Sequence, residues 1–334
     1  MWLFKSSVGR KFVMSLTGAF LVLFVTFHVL MNAVAILWPG AYNAVCEFLG
    51  ANWYALIGSA VLAAGFLIHI LYACWLTLQN RKARGNDRYA VTTKPVGVEW
   101  ASQNMLVLGI IIVAFLGVHM VQFWAKMQLA EVMGFTATSA EGAPMPPASG
   151  TLFLEAAFSQ WWTLPVYLIG FVALWFHMTH GFWSMFQTAG WNGRKWLPRL
   201  KKIANWFTTI VVGLFIIEAC WFTYQARQHA YTSDPELRKD YAAKLMEPLK
   251  AEAEKINEEA ALIKQDTPEG QAQMADIQRR AQELDARYLD ILKAYQPEQY
   301  EQVKRQQEMM QQMQAQQAQP FNQLEEVPDS TATE

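Results

Sequence analysis

Hydrophobic residues are concentrated in five long segments of the first 225 positions, with short polar linkers between them. The segments lie at about 12–38, 53–79, 102–125, 161–187 and 203–225. Each is long and apolar enough to cross a hydrocarbon core of about 30 Å as an α-helix. Any one of them would also suit a buried helix of a large soluble protein, but five in succession favour membrane spans. The pattern predicts an all-α protein with a five-helix transmembrane bundle.

A different pattern follows the fifth segment, where apolar residues are sparse and Gln, Glu and Ala dominate. Proline follows a capping residue at Asp234, Thr267 and Gln296, as at many helix starts. We therefore expect three soluble helices of about 31, 28 and 20 residues. A turn is expected at Asp266–Gly270, and Pro248 should kink or split the first helix.

These patterns divide the chain into three parts. A transmembrane domain covers 1–228, a soluble helical extension covers 229–318, and the low-complexity end, 319–334, is expected to be disordered. A basic N-terminus precedes the first apolar run, but that run is far longer than the apolar core of a cleavable signal peptide. We interpret it as a retained span.

Charge divides the chain near the same position. Residues 1–225 contain seven acidic and fourteen basic groups, whereas residues 226–334 contain 21 acidic and 13 basic groups. The basic groups cluster in the second and fourth linkers, and the other two linkers contain only Lys126. The positive-inside rule then places the N-terminus in the cytoplasm and the extension outside, which is the periplasm for a bacterial inner membrane. The clustered residues are Arg81, Lys82, Arg84, Arg88, Lys94, Arg194, Lys195, Arg199, Lys201 and Lys202.

The three cysteines, Cys46, Cys74 and Cys220, are isolated from one another and from any histidine motif. This spacing argues against a structural zinc, a covalently attached c-type haem and an iron–sulfur cluster held by this chain alone.

Five of the six histidines lie within the predicted spans, at positions 28, 69, 119, 177 and 180. Ionisable residues are rare in a bilayer and usually functional, although a single membrane histidine more often bridges helices than binds a metal. From the cytoplasmic ends of their spans, His28 and His119 lie at depths of ~24 and ~25 Å, and His69 and His177 both at ~15 Å. Two levels, each with two histidines from different helices, predict two stacked bis-histidine haems.

Two glycines and a fifth histidine accompany the inner pair. Gly65 is four residues before His69 and Gly181 four after His177, where a missing side chain would let a flat macrocycle approach. Helix packing is the alternative role of both glycines. His180 is one turn nearer the cytoplasm than His177, at ~10 Å. It would bond a haem propionate or a quinone, or make a contact between helices.

These residues lie in motifs that resemble a known family. The strings are SSVGRKFVMSLTG at the N-terminus, FHVLMN, LIHILYACW and VHMVQFW around the first three ligands, and FHMTHGFWSMFQTAGW around His177. Over residues 5–225 the chain resembles the dihaem cytochrome b membrane anchor of succinate dehydrogenases and fumarate reductases, of the five-helix single-subunit type. The resemblance implies that His69 and His177 hold the proximal haem and His28 and His119 the distal haem. It also implies that His180 is not a ligand.

The resemblance further implies the partners and the reaction. Such anchors dock a flavoprotein and an iron–sulfur subunit on the cytoplasmic face, and electrons pass between these, two b haems and a membrane quinone, typically menaquinone. The dicarboxylate active site is in the flavoprotein. We expect contacts with lipid and no nucleic-acid partner, and a dimer of heterotrimers remains open.

Two carboxylates are candidates for quinone protonation, Glu47 after span one and Glu218 within span five. The alternatives are an interfacial charge for Glu47 and a bridge between helices for Glu218. Some relatives have a carboxylate, linked to transmembrane proton movement, where this chain has Trp175. Arg10 would bind a haem propionate or the iron–sulfur subunit, or serve only to set topology.

Two other readings remain open from the sequence. One is a dihaem cytochrome b anchor of a different respiratory oxidoreductase, of the hydrogenase or formate dehydrogenase type. The other is a non-redox membrane transporter or assembly factor in which the histidines serve protons or packing.

Overall fold

The computed structural model describes residues 6–50, 52–84, 99–263 and 266–317, and nearly all of these are helical. The described part contains one short antiparallel strand pair, β1 (Ala137–Thr138) with β2 (Pro144–Met145). The all-α prediction is therefore confirmed. In chain order the helices are α1 Ser7–Leu37, α2 Pro39–Phe48, α3 Trp53–Arg84, α4 Trp100–Gln103, α5 Met105–Gln122, α6 Gln128–Met133, α7 Gly150–Phe158, α8 Thr163–Thr188, α9 Trp196–Arg227, α10 Ala230–Ser233, α11 Pro235–Leu262, α12 Pro268–Tyr295 and α13 Pro297–Gln317.

Five of these helices, α1, α3, α5, α8 and α9, are long and apolar enough to cross a membrane. The predicted number of spans is confirmed, and the chain is a multi-pass membrane protein with a C-terminal helical part. The fifth helix begins at Trp196 rather than near 203, because the basic linker continues the same helix. The third is shorter than predicted, since Asn104 interrupts the helix before it and Phe123 ends it.

Helix α8 is the centre of the bundle, because α1, α5 and α9 all pack against it. A missing side chain allows one of these contacts. A Cβ atom at Gly170 would lie 2.5 Å from the Phe115 ring, so glycine is required for the close approach of α5 to α8. We call the end of the bundle at Leu37 and Trp53 the outer end, and the end at Ser7 and Arg84 the inner end.

A buried polar network closes the outer end. The side-chain oxygen of Asn43 accepts hydrogen bonds from the backbone N–H and the hydroxyl of Thr151, at 3.0 and 2.8 Å. The amide of Asn43 donates to Asp240 at 3.1 Å, and the hydroxyls of Thr151 and Tyr241 lie 2.7 Å apart. The network therefore fixes the start of α11 against α2 and α7.

Glu155 of α7 makes a second attachment at the same end. Its carboxylate accepts from the backbone N–H groups of Tyr231 and Thr232 at 2.9 and 3.1 Å, which satisfies the first donors of α10. By packing, the chain divides into two units after Lys244. The predicted boundary at 228/229 marks the change in composition instead, and the predicted tail 319–334 lies outside the described residues.

The second unit contains the rest of α11 with α12 and α13. Helix α11 is not split at Pro248 and runs to Leu262, and the three helices have 28, 28 and 21 residues. Ion pairs join Arg280 to Glu259 and Arg287 to Glu252. The two arginines are seven residues apart along α12, and their glutamate partners are seven residues apart in the reverse direction along α11. The two helices are therefore antiparallel, with a heptad spacing between the ion pairs.

We predict that Asn43→Ala destabilises the protein by about 1–3 kcal/mol, because Thr151 and Asp240 lose buried partners. The midpoint of thermal unfolding in detergent should fall by about 2–4 °C for each kcal/mol. Asn52→Ala is the matched control, since Asn52 is exposed and its side-chain amide donates to the nearby Phe48 carbonyl. Equal stability of the two variants would show that the network does not hold the outer end.

Candidate functional site

Four histidines of the bundle form two pairs. His28 of α1 and His119 of α5 face each other, with ring centroids 5.7 Å apart and ring planes at 83°. His69 of α3 and His177 of α8 do the same at 6.2 Å and 66°. We call these the outer pair and the inner pair. With metal–nitrogen bonds of about 2 Å, one metal ion between two imidazoles places the ring centres ~6 Å apart, so both separations suit a shared metal ion.

The hydrogen bonds of His119 decide which of its nitrogens is available. Its Nδ1 lies 3.2 Å from the hydroxyl of Tyr167, and that hydroxyl donates to Gln122 Oε1 at 2.9 Å. Because the phenolic hydrogen is already used, Tyr167 accepts the hydrogen of Nδ1. The lone pair of His119 is then on Nε2, which is the arrangement of a metal ligand.

His69 has the same arrangement with a different partner. Its Nδ1 lies 3.1 Å from Thr17 Oγ1, and the Thr17 hydroxyl donates to the carbonyl of Val13 at 2.9 Å. Thr17 therefore accepts from Nδ1, and Nε2 carries the lone pair. Among the described residues, His177 Nδ1 is buried without a hydrogen-bond partner. His28 is held by ring contacts, stacked on Phe24 at 5.4 Å.

Two glycines that the sequence analysis missed lie beside the inner pair. A Cβ atom at Gly18 would be 3.7 Å from the His69 ring, and one at Gly109 would be 3.9 Å from the His177 ring. Each glycine is ten residues before an outer-pair histidine on its own helix, so a repeated Gly-x9-His spacing in spans one and three could have identified both. Ten residues of helix rise ~15 Å, so the two levels lie farther apart along the helices than the ~10 Å difference between the depths predicted from sequence.

The two predicted glycines have different surroundings. A Cβ atom at Gly65 would come within 2.7 Å of the Phe20 ring, so Gly65 allows α1 and α3 to pack closely. Gly181 has no described neighbour within 4 Å of that position. A role for either glycine beside a macrocycle stays a prediction.

His180 lies in a polar cluster at the inner end and in neither pair. Its Nδ1 is 3.5 Å from Glu99, too long for a well-formed hydrogen bond, while Lys201 contacts the same carboxylate at 2.7 Å. Burial opposes ionisation of Glu99, but Lys201 and His180 together hold the pKa of its carboxyl below the ordinary value. Lys201 also lies over the Trp183 ring at 4.5 Å. The cluster joins α8 to α9 beside the inner pair.

Arg10 joins α1 to α3 at the same end. Its guanidinium donates to Gln79 at 2.7 Å and lies 5.5 Å from the centre of the Trp75 ring. The structure thus gives Arg10 a contact between helices, and its binding of a propionate or a partner subunit stays a prediction. Of the basic residues expected to set topology, Arg88 and Lys94 lie outside the described residues.

The two candidate carboxylates differ in burial. The Glu47 side chain is 63% exposed and lies 3.4 Å from Lys244 Nζ. Glu218 is only 3% exposed, and its Oε1 has no hydrogen-bond partner among the described residues. It is one helical turn beyond Phe215, whose ring lies 6.0 Å from the His28 ring. Glu218 is therefore the carboxylate that lies near the outer pair.

Comparison with known proteins adds no assignment, because no family model, curated protein or solved structure matches the chain. Within the part of the chain that the structure describes, no three His, Cys, Asp or Glu side chains form a cluster that could hold a metal ion. A metal ion held by either histidine pair would therefore take its remaining ligands from the bound group itself.

The pairing predicts how single substitutions act. His28→Ala and His69→Ala should each remove one bound haem, and not the same one, as read from the absorption spectrum during redox titration. His177→Ala should remove the same haem as His69→Ala. His180→Ala and the outer-end control His229→Ala should keep both haems. Loss of one and the same haem in His28→Ala and His69→Ala would contradict the pairing.

Proposed function

We propose that the chain is the membrane anchor and electron-transfer subunit of a succinate dehydrogenase or fumarate reductase. In this proposal each histidine pair holds one b haem, and electrons pass between an iron–sulfur subunit and a membrane quinone, menaquinone by the family resemblance. The observation that carries the proposal is the pairing of four histidines from four spans, at 5.7 and 6.2 Å, on two levels.

Several features of the chain support a haem in each pair. The Nδ1 groups of His69 and His119 have acceptors that leave Nε2 free, and small residues lie beside the rings of the inner pair. When bound, a bis-histidine haem supplies one-electron transfer, and two axial ligands leave it no open position for substrate.

The inner end supports the proposed docking of partner subunits. Span five begins within a basic stretch there, and the positive-inside rule places this end in the cytoplasm of a bacterial cell. Lys195, Arg199 and Lys202 would present positive charge to an iron–sulfur subunit and its flavoprotein. The extension would then begin in the periplasm.

Glu218 supports a quinone reaction near the outer pair. A buried carboxylate without a hydrogen-bond partner is suited to exchange a proton with a quinone oxygen, because solvent does not compete for it. Phe215 is three residues before Glu218 on α9, its ring is 6.0 Å from that of His28, and it would offer an aromatic contact to the quinone ring. Glu47 remains a second candidate, although its ion pair with Lys244 favours a role in the outer network.

Purification from the native membrane in mild detergent tests the proposal. A pyridine haemochrome assay should give two b haems per chain, and a subunit with covalently or tightly bound flavin should co-purify with succinate or fumarate activity. A folded chain with less than about two b haems would contradict the cytochrome assignment and favour the transporter reading. Two haems together with a hydrogenase or formate dehydrogenase partner would support the cytochrome assignment but contradict the assignment to a succinate dehydrogenase or fumarate reductase.

Replacement of Glu218 tests the quinone site within the complex. Glu218→Gln should lower the quinone-linked rate by about 10²-fold or more, the scale of a lost general acid or base, while both haems and the dye-linked succinate activity are retained. Glu141→Gln, an exposed outer-loop carboxylate, is the control. A normal quinone-linked rate in Glu218→Gln would exclude this residue from proton exchange.

A further inference from the structure

A continuous chain of hydrogen bonds leads away from His119. The His119 Nδ1 and Tyr167 oxygen are 3.2 Å apart, and Tyr167 donates to Gln122 at 2.9 Å. Gln122 Nε2 then donates to Thr163 Oγ1 at 3.0 Å. Thr163 donates to the carbonyl of Ala157 at 2.7 Å. These hydrogen bonds run from α5 to α8, back to α5, again to α8, and end on the backbone of α7.

Every bond in this chain has a fixed direction. The Ala157 carbonyl can only accept, so Thr163 must donate to it and accept from Gln122. The amide of Gln122 thus presents its oxygen to Tyr167, and the phenol presents its oxygen to Nδ1. Each acceptor also donates to the next group, so the hydrogen bonds polarise one another. The phenol oxygen of Tyr167 is thereby a stronger acceptor for the His119 Nδ1–H.

The surroundings of Tyr167 hold its ring independently of its hydroxyl. The residue is 4% exposed, and three aromatic rings pack edge-on against it, those of Phe115 at 4.9 Å, Phe158 at 5.1 Å and Phe171 at 5.9 Å. Thr163 has no exposed surface. The hydroxyl is therefore a fixed acceptor in a dry site, where a hydrogen bond is strongest.

Within the described residues the inner pair has no comparable series of hydrogen bonds. Thr17 accepts from His69, but its hydroxyl returns to the backbone of its own helix, at Val13. His177 Nδ1 has no partner among the described residues. The two pairs therefore differ in the strength of the hydrogen-bond acceptor that contacts the Nδ1 of a ligand histidine. The spacing of histidines in the sequence does not reveal this difference.

We propose that Tyr167, oriented by Gln122 and Thr163, is a positioning residue for His119. Its hydroxyl makes Nε2 of His119 a stronger electron-pair donor to iron and so lowers the reduction potential of the outer haem. The inference rests on the proposed haem sites. An acceptor on Nδ1–H raises the basicity of the other ring nitrogen, and a more basic ligand stabilises ferric over ferrous iron. The outer haem is thereby set apart in potential from the inner haem.

Redox titration of Tyr167→Phe in the purified, haem-loaded protein tests the proposal. The midpoint potential of the haem bound by His28 and His119 should rise and that of the other haem should stay unchanged. Mutation of a hydrogen-bond partner of a metal-bound histidine typically changes metal affinity or activity by about tenfold or more. For a one-electron couple, tenfold corresponds to about 59 mV. The low-spin electron paramagnetic resonance signal of the outer haem should shift as well.

Matched variants separate this effect from general perturbation. Tyr54→Phe removes an exposed hydroxyl in the first turn of α3, at the outer end, and should change the potential of neither haem. Thr17→Val should raise only the potential of the inner haem. Gln122→Leu should give a smaller rise in the outer haem, and the double variant with Tyr167→Phe should add nothing, because both act through one phenol.

The outcomes distinguish this inference from the proposed function. Wild-type protein without two b haems would overturn the haem sites themselves. Two haems in the wild type, with no change, an equal change in both haems or a fall of the outer potential in Tyr167→Phe, would overturn the role of Tyr167 alone. If Tyr167→Phe does not retain its outer haem, Gln122→Leu decides by the same criteria.

Discussion

An imidazole inside a lipid bilayer needs a partner for each of its two ring nitrogens, and this requirement organises the bundle. No water is available to the ring at that depth, so an unsatisfied nitrogen carries a desolvation cost. In His69 and His119 one nitrogen is satisfied by Thr17 or Tyr167. In the proposed function the other nitrogen binds a metal ion that a second histidine shares. Four spans contribute to the two pairs, and a haem in each pair would add a link between helices that already pack through apolar side chains and a few polar contacts.

Helix α8 shows how packing and site depend on each other. It contributes His177 to the inner pair and Tyr167 to the support of the outer pair, while α1, α5 and α9 pack around it. Gly170 lets α5 approach closely enough for Gln122 to reach both Tyr167 and Thr163. The outer end is closed by the start of α11 through Asn43, so part of the acidic extension is structurally continuous with the membrane unit.

The sequence predicted the features that depend on long repeated patterns, namely five spans and the start of each extension helix. The depths predicted from the helical rise also grouped the histidines into the pairs that the structure brings together, because the depth of a residue in a span follows directly from residue count. The support of those pairs could not be predicted in the same way. Whether Thr17 or Tyr167 faces a histidine depends on the rotation of neighbouring helices, which hydropathy does not specify. The attachment of α11 likewise depends on Asn43 and Glu155, isolated polar residues whose partners are more than 70 positions away.

In the proposed function, four histidines supply all protein ligands to two haem irons. Near-infrared magnetic circular dichroism of the oxidised, purified chain tests it most directly, since the energy of the ligand-to-iron charge-transfer band identifies the axial pair. We expect two low-spin ferric haems, both with bis-histidine ligation, and loss of one of them in each single His→Ala variant of the two pairs. A high-spin haem, a histidine–methionine pair or a single bis-histidine haem in the intact chain would contradict it.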